Sequence, residues 1–422
     1  MSSNYSIQER MIASTLSKFP GIKRAVKRIY GAANAFVYKK KYKVKLNQTK
    51  AAQMTPVVTL KNNQESFFGY YDKFPMNNES WVLSHISNSK TSQNANSKSP
   101  IGINVTNIST GKSIEVGTSC AFNWQQGARL QWLTSDLFIY NDFQDGKYVS
   151  KVYSLCRNTE VKVFDSPVQD SFQDKYLLSL NYRRLYTLTD DYGYDNLPKL
   201  NKTELEDLQN DGIFKIDFET GASKLIYSLD QIVNCDYKSI FKESIHSVNH
   251  IMINNAGTAF IFIHRYYKKG IRYDRLMYAD FKQLKVLVDK DMVSHCYWMT
   301  NTKIIGYLRY DNQNAYFEID TLTNEITLNQ KMSELQIGDG HPNASQNQIV
   351  FDSYPNKSRM QKLFLYDNAE NKVDELMEVF NGLSYQNQSR CDLHPRFNKE
   401  EKILFFDTVF ENGRKHFYIK LK

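Results

Sequence analysis

The feature that most constrains this sequence of 422 residues is a unit that recurs with a period near 45. Four copies open on histidine, at His250, His295, His341 and His394, with spacings of 45, 46 and 53 residues. In each copy an apolar run follows eight or nine residues later: Ala259 to Ile263, Ile304 to Leu308, Ile349 to Phe351 and Ile403 to Phe406. That is the length of one four-stranded propeller blade. Three further units can be laid upstream, at Asp72 to His85, at Trp132 to Tyr140 with Arg129 where His295 stands, and at Asp174 to Leu180. The expectation is an all-β, seven-bladed β-propeller over residues 56–422, since a closed ring leaves no open sheet edge. Pro56 to Leu60 is placed to add an outer strand to the last blade, beside His416 to Leu421. Two stretches break the period, Ser87 to Ser99 and Asp190 to Asn210, and both read as projecting loops, the second partly helical.

Composition agrees with a β-rich globular chain. Tyr 28 and Phe 25 supply rings suited to half-buried pleated surfaces, and 41% hydrophobic with 23% charged residues excludes a disordered or fibrous protein. No apolar run is long enough for a membrane-spanning helix, and no secretion signal is evident, so the expected location is cytoplasmic. Five cysteines without a CxxC pair suit isolated thiols in a reducing compartment.

The net charge of +9 is concentrated at one end. Residues 1–50 hold twelve bases and one acid, whereas the rest of the chain holds 42 bases against 44 acids. The body is therefore near neutral, and a nucleic-acid partner is not indicated. From Ile22 the apolar positions Ala25, Val26, Ile29, Tyr30, Ala33, Phe36 and Val37 follow helical spacing, with Lys23, Arg24, Lys27 and Arg28 opposite and Pro20 suited to the first turn. Residues 1–50 thus read as a basic amphipathic helical arm that could lie on an anionic membrane surface, peripheral at the inner face of the cell membrane, and that contributes no strand to the ring. An earlier apolar pattern, Met11, Ile12 and Leu16, ends at Pro20.

Residues at the start of innermost strands converge on a propeller's channel, so the four histidines should meet although they are distant in sequence. His295, His341 and His394, helped by a nearby aspartate, could hold a divalent metal, and imidazole nitrogen favours zinc or manganese over calcium. Without a metal the same set offers histidine as acid or base and arginine as anion clamp. Asp339 and Gly340 precede His341; Arg390 and Asp392 precede His394, and Arg396 follows it. Tyr70, Tyr71, Tyr192, Tyr194 and Tyr354 offer phenols and stacking faces for sugar rings.

Several phrases together resemble the blade motifs of seven-bladed polysaccharide lyases of the oligogalacturonate-lyase and ulvan-lyase type, and more distantly TolB-like propellers. They are Phe68 to Lys73, Ser179 to Arg183 with Asp191 to Tyr194, His246 to His250 with His264 and Arg265, Asp339 to Pro342 with Asp352 to Pro355, and Arg390 to Arg396. The resemblance implies β-elimination at a uronic acid. In that reading His250 and His264 do acid and base work, and Arg183, Arg265 and Tyr194 are candidates for carboxylate clamp and acid. Tyr71, Asp72, Arg129, Arg390 and Arg396 complete the expected substrate-binding set. The implied substrate is an acidic, uronate-containing glycan in surface-polysaccharide metabolism. Two alternatives stand beside it: a transferase or modifying enzyme of capsule or O-antigen assembly, and a non-catalytic propeller scaffold at the membrane.

Overall fold

The computed structural model describes residues 20–422, with residues 346, 399 and 401 excepted. Seven antiparallel sheets follow one another along the chain, each built on a meander of consecutive strands, with blades 6 and 7 taking one further outer strand each from residues 44–56. Blade 1 covers residues 65–119, blade 2 residues 131–164, blade 3 residues 170–228 and blade 4 residues 245–288. Blade 5 covers residues 293–328, blade 6 residues 343–380 and blade 7 residues 396–420. Burial explains the composition of the strands. Ile101–Asn107 in the middle of blade 1 is buried at every position, because neighbouring blades cover both of its faces, whereas the outer strand Ser113–Ser119 is half exposed.

The ring is closed by the chain's own beginning. Thr55–Pro56 pairs antiparallel with Lys415–Lys420, Thr55 opposite Tyr418, as the outer strand of blade 7. The arm, expected to contribute no strand, does contribute one: Val44–Leu46 pairs with Lys372–Phe380 and makes blade 6 five-stranded. Alternation gives the reason, since Val44 and Leu46 flank the exposed Lys45 and both pack on the core that holds Leu376, Met377 and Phe417. N-terminal to that strand lies the helix Pro20–Val37, the expected amphipathic helix. Met11, Ile12 and Leu16 lie outside the described residues, as do the side chains of Lys23, Arg24, Lys27 and Arg28. No helix among the described residues is long and apolar enough to cross a membrane.

The inner strand of blade 1 is broken. It pairs through Phe67 opposite His85 and resumes at Met76 opposite Val82, and the intervening residues 68–75 leave the sheet and cross the channel. This excursion touches all six other blades. The Tyr70 hydroxyl meets His250 Nδ1 of blade 4 at 3.0 Å, the Tyr71 hydroxyl donates to the Cys296 carbonyl of blade 5 at 2.9 Å, and Asn343 of blade 6 donates to the Tyr71 carbonyl at 2.8 Å. His394, just before the inner strand of blade 7, bonds the Gly69 carbonyl at 2.8 Å; Asp72 pairs with Arg129, just before that of blade 2; and Lys73 pairs with Asp170 of blade 3. Gly69 makes the departure possible: its φ is +115°, and a Cβ there would lie 2.8 Å from the Gln126 backbone.

In a meander the second strand ends where the first begins, so loops after second strands gather at the end of the ring that carries the inner-strand starts. Residues 180–211, containing the helices Tyr182–Leu188 and Lys202–Glu206, and the long hairpin of blade 4 at residues 268–271 are such connections. They build the walls of the site.

Candidate functional site at the channel mouth

The four histidines converge. Ring centroids of His250 and His295 are 6.4 Å apart, of His295 and His341 3.9 Å, and of His341 and His394 4.3 Å, with Tyr70 beside all four. His250 does not open its strand as expected. It sits within Ile245–Ile253, where the register shifts between Asn249 and Met252, and it holds a φ of +56°. The bulge turns its ring to the channel.

Carboxylate and carbonyl acceptors fix the tautomers of three of these rings. Asp352 accepts the backbone N–H of His341 at 2.7 Å, its ring Nδ1–H at 2.9 Å, and the backbone N–H of His394 at 3.1 Å. His394 Nδ1–H donates to the Gly69 carbonyl at 2.8 Å, and His295 Nδ1–H to the Asp339 carbonyl at 3.1 Å. In the neutral ring each Nε2 then keeps a lone pair; at His341 burial disfavours the charged ring but the Asp352 carboxylate outweighs it and raises the pKa, so a metal ion there would displace a proton. His341 Nε2 and His394 Nε2 are buried and without a hydrogen-bond partner. With Asp392 they offer ligand atoms that all lie within 4.8 Å of one another, a set that could hold a metal ion. Two oriented imidazoles and a carboxylate fit a divalent cation by donor chemistry as well as by position. Of the expected trio, His341 and His394 belong to this set; His295 stands beside His341, and Asp392 takes the third place.

Next to this cluster is a pocket of about 220 Å³, lined among others by Asp191, Tyr192, His250, Arg265, His295 and Arg390. Burial, followed by the charges of Arg265 and Arg129, holds His250 well below the ordinary histidine range, so its imidazole is neutral. Arg265 Nε donates to Asp274 at 2.6 Å while its buried Nη1 has no partner. Arg390 donates to Asp392 at 2.8 Å and to the Tyr192 hydroxyl at 3.1 Å, and it pairs with Asp191, so it ties the blade 3 loop to blade 7. A larger groove of about 500 Å³ lies outside blades 6 and 7; its only charges, Glu411 and Lys415, pair with each other, and it offers no comparable chemistry.

Not every expected site residue reaches this pocket. His264 is fully buried within blade 4: it accepts from Arg275 Nε at 3.0 Å and bonds His246 Nδ1 at 3.0 Å, while His246 Nε2 bonds the Phe241 carbonyl at 3.0 Å. Since Arg275 can only donate and the carbonyl can only accept, both rings are neutral members of a closed relay. The expectation of a solvent-lined His264 is thereby corrected. Tyr194 is buried between blades 2 and 3, stacked on Tyr182 at 4.3 Å and accepting from Asn141 at 2.9 Å. Arg183 lies on the outer side of its helix, paired with Glu204 at 2.5 Å. Arg396 is fully buried, bonded to Asp407 at 2.8 Å and stacked over Phe68. Tyr71, Asp72 and Arg129 belong to the excursion and its anchors, and the Asp72–Arg129 pair is bidentate at 3.1 and 2.7 Å. Three wall residues were missed: Thr189, at the end of the helix Tyr182–Leu188, Arg272, near the tip of the long blade 4 hairpin, and Ser294, which donates to Asp339 at 2.8 Å.

No protein-family model matches the chain, and neither does any curated protein sequence. Among solved structures it is similar to an oligogalacturonate lyase in complex with manganese, with 12% identity over 91% of this chain and 98% of that one and a TM-score of 0.59. The oligogalacturonate lyase of Vibrio parahaemolyticus is similar to the same degree, with 12% identity over 90% and 98% and a TM-score of 0.60. TolB from Acinetobacter baumannii overlaps over 68% of this chain with a TM-score of 0.39. The first two share the seven-bladed fold along nearly their whole length.

Proposed function

We propose that the protein binds an acidic, uronate-containing glycan in the channel-mouth pocket and cleaves it by β-elimination. The observation that carries this reading is the pairing, in one pocket, of a neutral imidazole at His250 with a buried guanidinium N–H of Arg265 that has no partner. A guanidinium fork matches a carboxylate, and Arg265 with Arg390 would hold that group of the sugar. His250 takes the C5 proton, the C4–C5 double bond forms as the bond from C4 to the glycosidic oxygen breaks, and that oxygen needs a proton. Tyr192 can give one, because its hydroxyl oxygen already accepts from Arg390 and its own hydrogen is free for another acceptor. His341, Asp392 and His394 would hold a divalent cation, with manganese or zinc favoured by the nitrogen ligands; such an ion neutralises a carboxylate and so acidifies the neighbouring C–H. The likeness to oligogalacturonate lyases, one of them with manganese, supports the substrate class and the metal.

The test is incubation with a panel of uronate polysaccharides, with manganese or zinc added after chelation, while the absorbance of an unsaturated product is followed. His250→Ala should lower turnover by about 10² to 10⁴, and Arg265→Met should weaken binding of acidic glycans and spare neutral ones. Absence of product from every uronate, with the metal restored, would exclude elimination.

A further inference from the structure

The helix Pro20–Val37 carries an apolar stripe that the ring leaves uncovered. Val26, Ile29, Ala33, Phe36 and Val37 are spaced so that they share roughly 100° of one side, and all five are exposed, Ile29 and Val37 at 71% and Phe36 at 84%. A contiguous stripe of this kind marks a binding surface. Immediately after it come Lys39, Lys41, Lys43 and Lys45, all exposed, while Lys40 pairs with Glu378 at 2.7 Å and Tyr42 bonds the same carboxylate at 2.6 Å. The chain is thus pinned to blade 6 by one short strand flanked by two ion pairs, Lys40–Glu378 and Lys50–Asp374 at 2.9 Å, and N-terminal to that pin it presents apolar and cationic groups together.

The place of the pin matters. The Lys43 carbonyl accepts from Phe380 N–H at 2.8 Å, and the next residue, Asn381, donates to the Cys391 carbonyl at 2.8 Å, beside Arg390 of the pocket wall. The arm therefore leaves the ring at the end where the pocket opens.

We infer that this helix docks on an anionic lipid surface, with the stripe in the headgroup layer and the lysines against lipid anions, tethering the ring by its pocket-bearing end. Charge selects this occupant. A second copy would bring its own cationic arm, with twelve bases and one acid in residues 1–50, against the first, and the rest of the chain, with 42 bases and 44 acids, offers little attraction. The inference is independent of the reaction at the pocket.

Flotation of the full chain with phosphatidylcholine vesicles, with and without phosphatidylglycerol, tests it. Binding should require the anionic lipid and fall with salt. It should weaken about tenfold or more both in Ile29→Asp/Phe36→Asp and in a variant with Lys39, Lys41, Lys43 and Lys45 changed to Gln, with thermal midpoints unchanged because these side chains are exposed. No flotation with anionic vesicles, or equal flotation with neutral ones, would overturn it. Vesicle-free dimerisation abolished by Phe36→Asp would assign the stripe to a second copy and overturn it as well.

Discussion

Arg265 lines the pocket and His264, its neighbour, is sealed inside the blade, because successive residues of a strand point to opposite faces. That alternation was present in the sequence, and applied to the phrase His264-Arg265 it would have allowed only one of the two at the site. The convergence of His250, His295, His341 and His394 was legible because it depends on the repeat alone. Tyr194, Arg183 and Arg396 were not separable from true site residues, because a motif locates a blade and leaves side-chain direction open. Buried neutral rings, His246 of the relay and His85 of blade 1, which accepts from Ala128 N–H at 3.0 Å, have a consequence in acid. Burial lowers the His246 pKa to about 4 and that of His85 to about 3. Folded values below the ordinary 6.5 mean that the unfolded chain binds these protons first, so stability is full above pH 6.5 and falls as pH drops towards 4. The loss from His246 alone should be up to about 3 kcal/mol. Urea midpoints measured from pH 7 to pH 4.5 should decline, and His246→Gln should make that decline shallower, since an amide keeps a donor for Phe241 and an acceptor for His264 without titrating. An unchanged slope in the variant would remove His246 from the account.

Among the elements, the channel-crossing residues 68–75 do the most to set the site and were the least visible beforehand. Tyr70 and Tyr71 read as sugar-stacking rings, yet both are buried, at 3% and 1% exposure, and their hydroxyls are engaged with blades 4 and 5. Nothing in local propensity announces a strand that leaves its sheet, since its partners lie up to 339 positions away. Gly69 is the residue on which the departure turns. Gly69→Ala should cost roughly 1–3 kcal/mol from backbone strain alone, and displacement of Tyr70 should misalign His250, so thermal stability and glycan binding should fall together. A variant that kept its melting temperature while losing binding would place the role of Gly69 at the ligand and away from the excursion.

For the whole molecule, the seam between the chain's ends decides what can be removed. Deletion of residues 1–43 should leave the ring folded; among the described contacts to blade 6 it removes those of Lys40 and Tyr42 to Glu378 and the bond from Phe380 N–H to the Lys43 carbonyl. Deletion through residue 60 should uncover the edges of blades 6 and 7, lower the melting temperature and promote aggregation; equal stability of the two truncations would show that the seam strands are dispensable. The seven blades were legible from spacing and the blade 7 seam from one apolar segment, but Val44–Leu46 was hidden inside a lysine-rich run whose charge masked its alternation. The seam also orders events during synthesis. Ala51 bridges Leu421, Lys422 N–H bonds the Lys50 carbonyl at 2.9 Å, and Thr55 pairs with Tyr418, so residues 50–56 meet their partners only once residues 415–422 have been made. At ordinary translation speeds that wait is on the order of tens of seconds. The strand Thr55–Pro56 thus waits for blade 7 to be made before it finds a sheet, and until it does, the nascent ring is an open arc with unpaired edges for a chaperone, or another nascent chain, to find.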